Sequence, residues 1–150
     1  MGAEYRSQDG ANVGAFVWTK RPGGEWVVTD GDTGWREMAH LIAEWPPENA
    51  LLFMRRINAI IYVSLSLTAN PGRAWTDWRD LPVGLRGPGW TQYVMLGAVP
   101  LSTVVPVGYI ELSYGFQVSM SDQSEPAGAY YTYTSEDVWL DALPGVPGIA

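Results

Sequence analysis

Hydrophobic and polar residues alternate along several short stretches of this chain, with the two-residue period of a half-buried β-strand. The clearest stretch is residues 59–68, where every second residue from Ile61 to Leu67 is aliphatic and the residues between are Tyr or Ser. Residues 50–56 precede it, so the two segments predict a β-hairpin. Residues 15–19 and 25–29 flank a Pro22-Gly23 turn signal and predict a second hairpin.

The rest of the pattern predicts further short strands rather than long helices. We expect these strands at residues 91–96, 107–114, 115–120 and 128–134. Residues 38–45 are interpreted as a strand or one irregular turn, because two prolines end them. Residues 75–78 and 81–86 are interpreted as a long surface loop, and the C-terminal residues 143–150 as an extended segment.

About seven to nine short strands at this spacing predict an all-β fold, an antiparallel β-sandwich of jelly-roll type. Residues 1–14 are polar and glycine-rich, which predicts a loose arm. We therefore divide the chain into an arm with a hairpin, residues 1–30, and a β-sandwich domain, residues 31–150. Because an isolated hairpin is only marginally stable, it is expected to pack on the main domain or on a neighbouring subunit.

The composition favours strands and turns and excludes several classes of function. Eight Trp, eight Tyr, 17 Gly and 11 Pro accompany only 17% charged residues. The net charge of -7, with a single lysine, disfavours nucleic acid and anionic membranes as partners, because phosphate neutralisation supplies most of that affinity. Without cysteine the chain has no disulfide frame and no thiolate ligand for zinc.

The sequence predicts no membrane insertion. Residues 1–10 lack the apolar core of a secretory signal, and the longest apolar stretch, residues 57–63, is too short to span a bilayer. We expect synthesis in a cytoplasm. Delivery outside a cell then needs a route other than a signal peptide, and virion assembly followed by lysis is one such route.

Candidate catalytic groups are few. His40 is the only histidine, and the chain contains no Gly-x-Ser-x-Gly, phosphate-binding or dinucleotide-binding motif. Paired carboxylates are an alternative, for glycoside cleavage, and the pairs are Asp77 with Asp80, Glu136 with Asp137, and Asp30 with Asp32. Each pair stands in turn-like sequence, where acids stabilise turns, and that interpretation is favoured. We expect no catalytic residue, no bound metal and no cofactor.

The tryptophans and tyrosines suit sugar binding, because pyranose C–H faces stack on flat rings while nearby polar groups bind the hydroxyls. The candidate ligand-binding residues are Trp75, Asp77, Trp78, Tyr130 and Tyr131. The alternative, favoured for any single ring, is a place in the core or at a subunit interface. Residues 130–133 alternate, so we expect one set of side chains to be buried and the other to be free.

Two adjacent arginines, Arg55 and Arg56, lie within a predicted strand and therefore point to opposite faces. One of them must meet the core or a partner subunit. There it is expected to need a carboxylate.

Four separated segments carry a resemblance to a known family. They are WVVTDGDTGWR at residues 26–36, LLFMRRI at 51–57, LPVGLRGP at 81–88, and YTSEDVW at 133–139, which LPGVP follows at 143–147. These motifs, in this order, resemble the C-terminal β-domain of minor tail proteins from phages that infect actinobacteria. Val138 departs from the family, which has proline there, and residues 99–106 match no pattern of the family.

The resemblance implies a virion tail component. It implies a β-sandwich domain at a tail tip or fibre, assembled as a homotrimer and in contact with the host envelope, with no catalytic residues because the motifs consist of turn and scaffold residues. A trimer suits the aromatic excess, because subunit interfaces bury rings that a small monomer struggles to enclose. Residues 1–30 are then expected to attach to another tail protein, and the main domain to present loops to solvent or to a cell-wall glycan.

Two other interpretations stay open. One is a monomeric carbohydrate-binding module. The other is a small glycan hydrolase that uses Asp77 or Glu136.

Overall fold

The computed structural model describes residues 3–8, 10–42, 50–68, 78–87, 92–98, 106–120, 126–140, 142–144 and 146–147. In these residues the regular structure is twelve strands and two short 3₁₀ helices, Gly10–Asn12 and Ala39–Ile42, with no α-helix. The strands are β1 (Glu4–Arg6), β2 (Ala15–Lys20), β3 (Trp26–Gly31), β4 (Arg36–Glu37), β5 (Ala50–Ile57), β6 (Ile60–Leu67), β7 (Arg79–Asp80), β8 (Gln92–Ala98), β9 (Pro106–Leu112), β10 (Gly115–Met120), β11 (Ala127–Thr134) and β12 (Val146–Pro147). All their pairings are antiparallel, so the predicted all-β antiparallel fold is confirmed.

The strands form a small and a large sheet. The small sheet has the order β1-β2-β3, and the large sheet has the order β12-β4-β5-β6-β11-β8-β9-β10-β7. The four further strands expected from the sequence correspond to β8, β9, β10 and β11, and their bounds differ from the expected ones by no more than about two residues. The described strands number twelve, more than the seven to nine expected. The main reason is that β4, β7 and β12 are only two residues long, too short to show an alternating pattern in the sequence.

The hairpin β5–β6 is the one that the strongest alternation predicts. Its register runs from Ala50 opposite Leu67 to Ile57 opposite Ile60, and the alternate aliphatic side chains of both strands are buried. Asn58 begins the connecting turn with φ +52°, a left-handed conformation that Asn tolerates better than most residues. The turn therefore fixes the register that puts the aliphatic residues on one face.

The large sheet curls, so that its two halves enclose one core. The halves meet through β11 and β8, where two residue pairs are in register, Ala127 with Ala98 and Gly128 with Gly97. The 3₁₀ helix beside β5 contacts β10 at the opposite end of the strand order. One continuous cluster of buried side chains joins the inner faces, and it includes Met54, Val63, Leu96, Ile110 and Phe116. This is a sandwich-like arrangement of antiparallel strands.

The N-terminal hairpin is confirmed as β2 and β3, with Gly24 closing the turn through a hydrogen bond to the Arg21 carbonyl. The prediction of a loose arm is wrong for residues 4–6, which pair with β2 as a third strand. All three side chains of β1 are exposed, so the strand is held by its backbone hydrogen bonds and leaves no hydrophobic alternation in the sequence.

The small sheet runs directly into the large one. β3 ends at Gly31, and the next residue, Asp32, forms a bridge with Ile57 at the end of β5. Gly31 donates its N–H to the Asn58 amide oxygen at 2.9 Å, and Asn58 donates its own N–H to the Gly31 carbonyl. The two sheets are therefore hydrogen-bonded to each other near residue 31.

One segment takes the second of its two predicted forms, a single irregular turn, and another differs in part from its prediction. Within residues 38–45 the structure shows the 3₁₀ helix Ala39–Ile42, whose Leu41 and Ile42 are buried, while residues 43–49 lie outside the described residues. Residues 81–86 are not wholly a surface loop, because Leu81 and Leu85 are each only 1% exposed and belong to the core. Of the C-terminal segment the structure describes residues 143, 144, 146 and 147, and the last two form β12, which pairs with β4.

Candidate binding surfaces

Arg56 occupies the buried side of β5 and joins four parts of the chain. Its guanidinium donates to the carbonyl oxygens of Asn58, Gly84, Asp137 and Val138, at 2.6 to 3.0 Å. Its own N–H donates to the Thr33 hydroxyl at 2.9 Å. Burial lowers the pKa of the guanidinium from its ordinary value. The oxygens compensate the desolvation of the charge.

The expectation that a buried arginine here needs a carboxylate is therefore wrong. Backbone carbonyls bind Arg56, while the carboxylate pairs with its neighbour on the other face. Arg55 donates from Nε to Asp32 at 2.8 Å and forms a second bond to the same carboxylate from its terminal nitrogen. The hydrogen bond from Arg55 is the largest cause of the lowered pKa of Asp32. No partner subunit is needed to satisfy either charge.

Two of the carboxylates considered for catalysis, Asp32 and Asp137, take up structural contacts, while Asp30 and Asp80 are exposed. Asp32 accepts from Arg55 and from the Gly34 N–H at 2.8 Å, and Asp137 accepts from the Gly84 N–H at 3.1 Å. Both match the favoured interpretation that these acids stabilise turns. Glu136 is exposed beside Asp137, and Asp77 lies outside the described residues.

Three candidate ligand-binding residues fall in residues 75–78. The structure describes Trp78, whereas Trp75 and Asp77 lie outside the described residues. The indole of Trp78 packs so closely against Gly115 that a Cβ on that glycine would overlap the ring atoms. The side chain is still 42% exposed. A ring held from one side and open to solvent on the other is a suitable stacking platform.

Tyr130 and Tyr131 point to opposite sides of β11, as the alternation predicts. Tyr130 is 65% exposed, and its ring lies 6.4 Å from that of Trp35. Tyr131 points inward, and burial raises the pKa of its hydroxyl. That hydroxyl is buried without a hydrogen-bond partner among the described residues. Tyr130 is therefore the one of the two that presents its ring to solvent.

The structure does not bring Trp78 and Tyr130 together within the sheet. Trp78 precedes β7 at one edge, and three strands separate β7 from β11. At about 4.8 Å between neighbouring strands, this spacing amounts to roughly 19 Å along the sheet. The sequence candidates therefore mark two separate positions rather than one site.

The outer side of the large sheet carries exposed aromatic and sulfur side chains that the sequence prediction did not select. Tyr93 and Met95 on β8 are 63% and 59% exposed. Met95 lies opposite Tyr109 of β9, and the rings of Tyr93 and Tyr109 meet edge to face at 5.4 Å. The alternation of residues 92–96 predicts a strand, and it places Tyr93 and Met95 together on one face. This pattern is the sequence signal from which the exposed residues could have been identified.

A cleft of about 880 Å³ lies between the small sheet and the segment that follows β11. Trp18, Glu25 and Trp26 line it from the hairpin, and residues 135–140 line it from the main domain. Arg56 and Trp139 also border it, with the Arg56 guanidinium 4.7 Å from the centroid of the Trp139 ring. The sequence prediction missed this cleft, because its walls are distant in sequence.

Comparison with protein-family models found no match, and comparisons with curated proteins and with solved structures found no similar protein. In the described part of the chain no helix is long and apolar enough to cross a membrane. His40, the single histidine, is exposed at the 3₁₀ helix Ala39–Ile42.

Proposed function

We propose that this protein is a structural and adhesive component of a bacteriophage tail, which acts by surface contact rather than by catalysis. The observation that carries the proposal is the convergence of the four family-like motifs on Arg56. Thr33 of the first motif bonds Arg56 of the second, and Arg56 bonds Gly84 of the third. The carbonyls of Asp137 and Val138 in the fourth complete the cluster.

This convergence supports the resemblance in a specific way. Short motifs that match by chance have no reason to meet in space, whereas motifs that define a fold are expected to share contacts. Among the shared polar residues, structural bonds engage Asp32, Thr33, Arg55, Arg56 and Asp137. Members of a family that share only such residues share a fold rather than an active site. The function of each member then depends on the surface that it presents.

The outer side of the large sheet supports a role in contact. Tyr93, Met95 and Tyr130 are each more than half exposed there, and Leu51 of β5 is 50% exposed. Tyr and Met are enriched in the buried centres of protein interfaces. We propose that this side mediates assembly into a homotrimer and that residues 1–30 attach the domain to another tail protein.

The small sheet supports that attachment through its free edge. β1 pairs with β2 on one side, and among the described strands none pairs with its other side. An unpaired strand edge accepts an added strand from a partner through main-chain hydrogen bonds.

Electron microscopy tests the tail assignment. Immunogold labelling with antibodies against the purified chain is applied to phage particles from lysates of cells in which the chain is produced, and gold at the tail tip or fibre is expected. Lysates of the same host infected with a phage lacking the gene provide the control. Labelling confined to cell walls, with bare particles, would contradict the tail role and favour a free carbohydrate-binding module, for which the half-exposed Trp78 is the supporting observation.

A further inference from the structure

The cleft between the small sheet and residues 135–140 is a distinct feature from the outer side of the large sheet. Its volume of about 880 Å³ is within the range of sites that hold small organic ligands. Strands β2 and β3 form one wall, and the loop after β11 forms the other. The Arg56 cluster fixes the loop wall, because its guanidinium holds the carbonyls of Asp137 and Val138.

The aromatic lining of the cleft presents flat surfaces. Trp26 is 46% exposed at the start of β3, and the Lys20 ammonium lies 5.8 Å from its ring centroid. Trp18 contributes a second indole, which packs on Tyr5 with the ring centroids 5.3 Å apart. Rings restrained by such neighbours lose little freedom when a ligand stacks on them.

The polar lining supplies hydrogen-bonding groups beside those rings. Glu25 and Glu136 are exposed, on opposite walls of the cleft. Carboxylates accept hydrogen bonds from hydroxyl groups in charge-assisted pairs, which are stronger than neutral ones. Flat indoles beside carboxylate oxygens are complementary to a sugar, whose C–H face is apolar and whose rim carries hydroxyls.

The charge of the whole chain distinguishes among sugars. Within the cleft Glu25, Glu136 and Asp137 stand against Arg21 and Arg56, and the Lys20 ammonium lies beside the Trp26 ring, so the local charges balance. The whole chain carries a net charge of -7. This overall negative charge disfavours the approach of phosphorylated or uronic-acid polymers, while uncharged sugars are unaffected by it.

From this geometry we infer that the cleft is a binding site for a neutral oligosaccharide, with Trp26 as the stacking platform and Glu25 and Glu136 as hydroxyl acceptors. The rival occupant is a peptide added to the edge of β3 through main-chain hydrogen bonds, and an array that includes peptides tests it. The inference rests on the proposed tail function only for the source of the sugar, a polymer of the host envelope.

A glycan array tests the ligand class. The intact chain is applied to neutral oligosaccharides built of hexoses, pentoses and N-acetylhexosamines, together with uronic-acid and phosphorylated oligosaccharides and an array of extended peptides. Binding to neutral members is expected. An array on which no neutral sugar binds, or on which the anionic sugars or the peptides bind instead, overturns the inference.

Titration calorimetry with the best neutral oligosaccharide then tests the location. Trp26→Ala is expected to weaken binding roughly tenfold, Trp26→Phe to weaken it less, and Glu136→Gln to weaken it severalfold. Tyr114→Ala and Glu111→Gln, a ring in the turn between β9 and β10 and a carboxylate on β9, both away from the cleft, are the matched controls and are expected to bind like the wild type. Because Glu136 is exposed on a loop, its variant decides the question if Trp26→Ala fails to fold.

Unchanged affinity in Glu136→Gln and in a folded Trp26 variant would overturn the site. This failure is distinguishable from failure of the tail proposal. If the chain binds the oligosaccharide through Trp26 but antibodies against it never label a phage particle, the binding site is supported and the tail proposal is contradicted. If the chain is found on the tail but binds no sugar, the tail proposal is supported and the binding site is contradicted.

Discussion

The guanidinium of Arg56 lies 4.7 Å from the ring centroid of Trp139, so a charge on β5 is stacked on an indole from the loop after β11. Such cation–π contacts are stronger when water is excluded, and Arg56 is 5% exposed. The Trp139 indole N–H in turn donates to the Val13 carbonyl at 2.8 Å. This pair therefore connects the core of the large sheet to the N-terminal residues and to the cleft.

Replacing Arg56 tests the cluster. Arg56→Met is expected to lower the free energy of unfolding by about 3 kcal/mol or more, because it leaves buried carbonyl oxygens without donors. Arg55→Met, on the other face of the same strand, is the matched control and is expected to cost about 1 kcal/mol or less, since its ion pair is partly exposed. Urea denaturation measures both. Equal losses would contradict the central place of Arg56.

The ion pair between Asp32 and Arg55 predicts a dependence on pH. The pKa of Asp32 is lower in the folded chain than in the unfolded one, so its ionised form stabilises the fold at pH values above the unfolded-state pKa of about 4. That stabilisation is lost as the pH falls through the folded-state pKa. Asp32→Asn is expected to be less stable than the wild type at neutral pH and to lose less stability on acidification.

Chemical denaturation at a series of acidic pH values checks this expectation. Asp30→Asn changes an exposed neighbour that is outside this ion pair, and it is expected to follow the wild-type curve more closely. An Asp32→Asn curve parallel to that of the wild type would show that the pair does not contribute.

Two stacked tyrosines on β11 give a matched pair of hydroxyl deletions. The rings of Tyr131 and Tyr133 are 6.3 Å apart, but only the Tyr133 hydroxyl donates to a carbonyl, that of Leu85. Tyr133→Phe is expected to cost about 1 kcal/mol, whereas Tyr131→Phe is expected to be neutral or stabilising, because it removes a buried polar group that has no partner among the described residues. Thermal unfolding distinguishes them, and the reverse order would contradict the assigned hydrogen bond.

Gly31 is expected to be intolerant of a side chain. A Cβ there would lie 2.5 Å from the Trp139 ring, whereas one at Gly23 would meet nothing within 4 Å. Gly31→Ala is therefore expected to destabilise the chain by about 1 to 3 kcal/mol through overpacking, with Gly23→Ala as the near-neutral control. Thermal unfolding followed by tryptophan fluorescence measures the difference. A Gly31→Ala variant as stable as the control would mean that Trp139 does not pack closely on β3.

The sequence predicted those parts of the fold in which one face of a strand is buried. Residues 59–68 and 130–133 are examples, because a period of two reports directly which side chains enter the core. β1 was missed for the same reason, since Glu4, Tyr5 and Arg6 are all exposed and main-chain pairing leaves no hydrophobic pattern.

The candidate site was harder to predict than the strands. A buried arginine predicts oxygen partners, but the carbonyls that bind Arg56 belong to residues of any type and have no sequence signature. The cleft is assembled from Trp18 and Trp26 on one side and residues 135–140 on the other, so its existence depends on how the small sheet packs. Trp78 and Tyr130 were among the candidate ligand-binding residues, but their separation follows from the strand order, which the sequence does not show.

The outer side of the large sheet predicts self-association. The Tyr93→Ser/Met95→Ser double variant is expected to dissociate into monomers that remain folded, because both side chains are more than half exposed in the isolated chain. Tyr114→Ser, at a similarly exposed ring in the turn between β9 and β10, is the control and is expected to keep the assembly. Circular dichroism confirms folding, and a double variant that stays assembled would place the interface elsewhere.

The mass of the wild-type chain in solution tests the central claim most directly. Light scattering coupled to size-exclusion chromatography is expected to give three times the 16.5 kDa of one chain. A single species of 16.5 kDa over the whole accessible concentration range would contradict the account, because the exposed rings would then have no subunit to meet.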